Sequence, residues 1–217
     1  MITRLLKELI FALKNNFFSK DTSFGYIKIY LLLSFIGCSA AVRPSIYYLD
    51  GANSIFIDPR NHFIFAKSLL GKHRAVFKNK EYRADCSGTV KAIYNSIGLS
   101  LGKAEGTQNI FKYIKKNGKL DRRNARSGDL VFFYSSNKSR LAHVGFVEEI
   151  LPDKTIIFIH HIGGLIIRSH MNVQYPNIQI DPKNKTKLND VLRGGFSQGH
   201  TAGQLFAAFG RFPKIFI

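Results

Sequence analysis

Two runs of β-forming residues joined by a short turn constrain the fold of this chain more than any other feature. Ala142–Ile150 and Thr155–His161 flank Leu151-Pro152-Asp153-Lys154. Val, Ile, Phe and Thr crowd both runs and suit a pleated, half-buried surface. Pro152 stands where its fixed φ fits a turn. The two runs are expected to form an antiparallel hairpin. Pairing Ile150 with Thr155 sets Gly145 opposite His160. His143 and His160 then share a face as diagonal neighbours, roughly 7–8 Å apart between backbones, and His161 points the other way. An odd-length turn or a bulge would reverse that choice. Gly145 leaves room for the His160 ring to lie toward His143.

A second constraint lies upstream. Asp85-Cys86-Ser87-Gly88 precedes Val90, Ile93, Tyr94 and Ile97, an i, i+3, i+4, i+7 pattern that marks one face of a helix. Asp85 is a good N-cap type, and Gly98 stops the run. Cys86 is thereby placed in the first helical turn, beside unpaired N–H groups and the positive end of the helix dipole. That position lowers a thiol pKa and favours the nucleophilic thiolate. A buried structural cysteine is the plain alternative. A cysteine at a helix start, with two histidines on one hairpin face, is the component set of a nucleophile with a base and an orienting residue. A metal site is the other reading of the histidines. It would need a third or fourth ligand, and the sequence holds no HExxH or CxxC. No metal or cofactor is expected.

Further elements can be placed around these. Phe63–Leu70 reads as a short helix ending at Gly71. Thr107–Lys116 reads as a second helix, with Thr107 as its cap and Gly118 just beyond its end. Arg126-Ser127-Gly128-Asp129 is a turn leading into a strand, Leu130–Tyr134. With 45% of its 217 residues apolar the chain can bury a full core. Its formal charge of +18 attracts polyanions, whether nucleic acid, anionic lipid or wall polymer. Residues 1–37 hold only five of the basic and two of the acidic residues, so the charge belongs mainly to the remainder. Zinc-finger spacing and RNP-type aromatic motifs are absent, so nucleic acid is not an expected partner.

Two cysteines make no disulfide framework, and Cys38 calls for its own explanation. Residues 29–42 are uncharged and bounded by Lys28 and Arg43. The run is short for a bilayer span, which needs about 20 residues. It suits the apolar region of an export signal. Phe35-Ile36-Gly37-Cys38 resembles a bacterial lipoprotein box, in which the cysteine is lipidated; an uncleaved anchor or a buried N-terminal helix are the other readings. The chain thus divides into a leader or anchor over 1–37, a connector over 38–65 and a domain over 66–217.

Within that domain four motifs come in order: Asp85-Cys86-Ser87-Gly88-Thr89-Val90, Gly128-Asp129-Leu130-Val131-Phe132-Phe133, His143-Val144-Gly145-Phe146-Val147 and Phe158-Ile159-His160. Together they resemble the NlpC/P60 and CHAP families, papain-like cysteine hydrolases of bacterial cell walls. The resemblance implies an α+β fold, a small antiparallel sheet packed against helices, with the cysteine at a helix N-terminus. It implies Cys86 as nucleophile, His143 as general base and His160 as the residue orienting His143. Asp85, Ser87 and Gly88 would lie beside the substrate. The family's Tyr-x-x-Gly-Gly segment is replaced here by Lys72–Phe77, and Tyr82 is the tyrosine available to substitute for it. Leu188–Asp190 and Gly203–Gly210 would close the domain. The implied partners are peptidoglycan stem peptides and an anionic envelope or membrane surface, and the implied location is the bacterial cell envelope. An acyltransferase on the same scaffold and a non-catalytic envelope-binding protein are the rival readings.

Overall fold

The computed structural model describes residues 47–50, 53–56 and 61–212. The expected leader over 1–37, Cys38 and most of the expected connector lie outside the described residues. The described part opens with an antiparallel strand pair, β1 (Tyr47–Asp50) and β2 (Asn53–Phe56), followed by α1 (Asn61–Ser68), β3 (Val76–Phe77) and β4 (Lys80–Glu81). Next come α2 (Cys86–Asn95), α3 (Gly106–Asn117), β5 (Lys119–Asp121), β6 (Leu130–Tyr134) and β7 (Leu141–Ile150). The described part ends with β8 (Ile156–Ile162), β9 (Leu165–Met171), α4 (Ala202–Leu205) and β10 (Phe206–Arg211). Six strands make an antiparallel sheet in the order β5-β10-β6-β7-β8-β9. The fold is α+β.

Both faces of the sheet are covered, and alternation along the strands sorts the core into two layers. Leu130, Phe132, Val144, Phe146 and Ile159 face the helices and pack on Val90, Ile93, Tyr94, Ile110 and Ile114. Val131, Phe133, Val147, Phe158 and Phe209 face the other way and pack under Leu192, Ala202 and Leu205. The Gly128-Asp129 motif fastens these parts together. Tyr94 of α2 donates its hydroxyl proton to the Gly128 carbonyl at 2.8 Å. Arg211 of β10 grips both oxygens of the buried Asp129 carboxylate at 2.9 and 2.7 Å. The late segment expected to close the domain therefore supplies an inner strand. Asn189 holds the rest of it. Its carbonyl oxygen accepts from the N–H groups of Asn172 and Gly203, and its amide donates to the carbonyls of Tyr175 and Ile178.

The β7–β8 register departs from the expected one in two places that cancel. Ile150 pairs with Ile156, not Thr155, because the turn has five residues, Leu151–Thr155, closed by the Leu151 N–H on the Thr155 carbonyl. A bulge then falls between Val147 and Glu149. The extra residue, Glu148, is buried and held by a two-pronged bond from Arg168 at 2.6 and 2.8 Å. Past the bulge Val147 pairs with Phe158 and Phe146 with Ile159, the register first expected, which continues to Gly145 opposite His160. Either irregularity alone would have turned His143 and His160 to opposite faces.

The room above Gly145 is used differently than expected. A Cβ there would lie 2.8 Å from the Phe158 ring and 3.3 Å from Val131 Cγ1, so Phe158, not the His160 ring, fills the space. Phe158 is fully buried, so its ring has little room to yield. Gly145→Ala should therefore cost about 1–3 kcal/mol by overpacking, read as a lower urea midpoint. An unchanged midpoint would show that the ring is free to move.

Candidate active site

Cys86 is the first residue of α2. Asp85 caps the helix, accepting the Gly88 N–H at 2.8 Å and the Ser87 hydroxyl at 2.7 Å. Burial pushes the Asp85 carboxyl up, yet these bonds and the Arg83 guanidinium at 2.8 Å hold it below the ordinary carboxylate value. The thiol is half-buried and lines a cleft of about 420 Å³. One wall of the cleft is Asp85, Ser87, Glu105 and Thr107; the other includes Arg140, Leu141, Ala142 and Phe196.

The thiol contradicts the expectation of a lowered pKa. Burial pushes it up, and the Thr107 hydroxyl and the Val144 backbone N–H only partly offset this. Thr107, expected to cap α3, lies inside that helix; Glu105 holds the cap position without a side-chain bond. Thr107 instead turns to the thiol, with Oγ1 3.6 Å from Sγ.

His143 and His160 stand on the sheet face of Phe133 and Phe158. His143 Nε2 lies 2.7 Å from His160 Nδ1, with the rings at 78°. On its other side His143 stacks on Phe196, at 17° and 5.0 Å between centroids. Burial pushes the His143 pKa down to about 3 and that of His160 well below its ordinary value. Both imidazoles are therefore neutral at pH 7. Cys86 packs against the helix-side core, so thiol and imidazole approach β7 from opposite faces, and the strand reaches the Cys86 cleft through Leu141 and Ala142. Among the described residues no hydrogen bond joins Cys86 to His143. The expected close thiol–imidazole contact is thus replaced by a sulfur seated beside the residue that follows His143.

The other expected substrate contacts divide. Asp85 and Ser87 line the cleft. Gly88 and Tyr82 are not among the lining residues and turn inward. A Cβ on Gly88 would lie 2.1 Å from the Arg83 carbonyl, so the glycine lets the chain's own loop approach the helix. Tyr82 is buried, and its hydroxyl accepts from Asn95 at 2.7 Å. His161 faces away from the pair and approaches the His73 carbonyl through Nε2 at 2.9 Å. Three neighbours escaped the sequence reading: Thr107, Phe196 and Ser169, whose Oγ lies 2.9 Å from His160 Nε2. Only Ser169 had a signal. Gly163-Gly164 between two apolar runs marks a second hairpin, and both glycines have positive φ, +61° and +82°.

Two measurements test this electrostatic picture. A raised thiol yields thiolate only at higher pH, so iodoacetamide labelling of Cys86, followed by peptide mass spectrometry, should reach half its maximal rate above the ordinary thiol value of about 8.5. Thr107→Val should slow labelling at pH 7 a further few-fold, and a midpoint below the ordinary value would contradict the buried thiol. Unfolded histidines take up protons below about 6.5, whereas folded His143 does so only near 3. The folded state binds fewer protons in that interval, so stability falls as pH drops through it, by up to about 1.4 kcal/mol per pH unit per histidine. Urea midpoints at pH 7 and pH 5 should differ less in His143→Gln than in the wild type, and equal differences would argue against neutral burial.

No curated protein matches the chain. A family model does: the NlpC/P60 family, over residues 71–181. The matched stretch is a little over half of the chain and runs unbroken through the thiol-bearing helix, the turn at Gly128-Asp129 and the strands that carry both histidines. On that match, the chain belongs to the NlpC/P60 family.

Proposed function

We propose that this protein is a cysteine hydrolase that cuts a peptide or amide bond of peptidoglycan, with Cys86 as nucleophile, His143 as base and His160 as its orienting partner. The family is of the cell-wall peptidase and hydrolase type and acts on peptidoglycan. The observation that carries the reading is the buried His143–His160 contact at 2.7 Å, placed at the end of β7 that walls the Cys86 cleft. A buried imidazole pair is costly to keep unless its geometry is used.

Because both groups rest neutral, the ion pair forms on attack. As sulfur bonds to the substrate carbonyl carbon, the thiol proton passes to the His143 nitrogen not bonded to His160. The carbonyl π electrons move to oxygen. Asp85 takes the N–H groups of Gly88 on its carboxylate and Thr89 on its carbonyl, and the N–H of Ser87 faces the thiol, so that of Cys86 is the one left for the oxyanion at the positive end of α2. Collapse breaks the C–N bond, and His143 hands its proton to the departing amine. Water, deprotonated by His143, then releases the acyl group and restores the thiol.

One wall of the cleft is polar, and the other sets Arg140 among apolar side chains. Asp85 and Glu105 are compensated by Arg83 and Lys91. Arg140 has no acidic partner among the described residues, which suits a substrate bearing carboxylates, as stem peptides do. The basic surface and the leader fit a protein exported to an anionic envelope and held there, with Cys38 as the lipidation site.

Purified peptidoglycan digested with the wild type should release new fragments by mass spectrometry, and Cys86→Ala or His143→Ala should lower their rate of release at least about a thousandfold. Identical fragment patterns with and without the thiol would defeat the hydrolase reading. Fragments joined to an added amine, rather than to water, would redirect it to acyl transfer.

A further inference from the structure

The hydrogen-bond chain continues beyond His160. The β7–β8 pairing of Phe146 with Ile159, carried on by one residue, sets Gly145 opposite His160, and Ile167 opposes it on β9. His143 lies two residues from Gly145 and Ser169 two residues from Ile167, so each is a diagonal neighbour of His160 on one face. His143 Nε2 is 2.7 Å from His160 Nδ1, and His160 Nε2 is 2.9 Å from Ser169 Oγ. His160 is fully buried and Ser169 nearly so. We propose that Ser169 is a positioning residue that fixes the tautomer of His160, and through it the tautomer in which His143 can act as a base. This rests on the reading of Cys86, His143 and His160 given above.

The argument is a count of protons. His143 can take the thiol proton only if its free nitrogen, Nδ1, carries a lone pair. Its ring proton must then sit on Nε2 and point at His160 Nδ1. That nitrogen must accept, so His160 carries its own proton on Nε2. A buried N–H without an acceptor costs about 1–3 kcal/mol. Ser169 Oγ is the acceptor. In the reversed arrangement His160 Nδ1 donates to His143 Nε2, the His143 proton moves to Nδ1, and no lone pair faces the thiol.

Serine alone could serve either arrangement, since its hydroxyl both donates and accepts. The surroundings favour the productive one. His160 and Ser169 line a second cavity of about 480 Å³ together with Asp190. A polar cavity of that size has room for water, which would accept the serine's own hydrogen bond and leave Oγ free to accept from His160. The Asp190 carboxylate favours positive charge on His160, whereas His143 and His161 oppose it. Asp190 is itself held by His170 and Lys187 at 2.9 Å each.

The test uses the full chain labelled with ¹⁵N-histidine. Long-range ¹H–¹⁵N spectra report which nitrogen of each ring bears the proton. In the wild type both His143 and His160 should carry it on Nε2. Ser169→Ala should move His160 to a mixed or Nδ1–H tautomer and should lower kcat on peptidoglycan fragments by about tenfold with KM unchanged. Ser169→Thr keeps the hydroxyl and should restore both the spectrum and kcat. Wild-type His160 protonated on Nδ1 would overturn the proposal even if no variant folded. So would Ser169→Ala with wild-type tautomers and kcat, or Ser169→Thr as impaired as alanine. A wild type that cleaves no peptidoglycan would fail the functional reading, while the spectra would still decide for or against the role of Ser169.

Discussion

A 2.7 Å contact between two buried imidazoles is the constraint around which the sheet is arranged. It needs His143 and His160 on one face of adjacent strands and two residues out of register. A five-residue turn shifts that register by one, and the bulge at Glu148 shifts it back. The bulge is in turn held by Arg168, reaching from β9 to the buried Glu148 carboxylate. A charge pair on one side of the hairpin thus sets which face the histidines occupy on the other. The pair is worth keeping for this geometric reason, whatever its net contribution to stability.

The thiol sits in a contest between two effects of opposite sign. The helix N-terminus favours thiolate, by an amount that is typically about 0.3–1 kcal/mol and seldom above ~2. Burial opposes it and is the larger influence here. The same burial strips the histidines of their protons. A site whose thiol and imidazoles are all neutral at rest follows. A thiol kept protonated at rest is also protected from oxidation, which proceeds through the thiolate.

Segments distant in sequence complete this arrangement. Phe196 comes from a loop after β9 and fixes the plane of His143 by stacking. Thr107 reaches the thiol from α3. Asn189 binds four backbone groups from three segments and holds the loops that follow β9 against α4. Arg211, near the end of the described chain, is bonded to the buried Asp129 just before β6. The site is assembled on local elements and held by non-local ones.

The sequence by itself determined the elements whose signals are local. Helix α2 and its Asp85 cap follow from apolar spacing and a short acidic side chain, and β6, β7 and β8 follow from runs of β-branched and aromatic residues. The choice of His160 over His161 also came from counting residues, although it survived only because two irregularities cancelled. Tertiary structure decided the rest. Tyr82 and Gly88 serve the interior because of what packs on them, Asn95 and the Arg83 carbonyl, neither of which a local pattern reveals. The thiol's acidity turned on burial, a property of the closed fold and not of the helix end. Thr107 and Phe196 acquired their places because helices and loops far apart in the chain were brought together, and chemistry at that range leaves no periodicity to read.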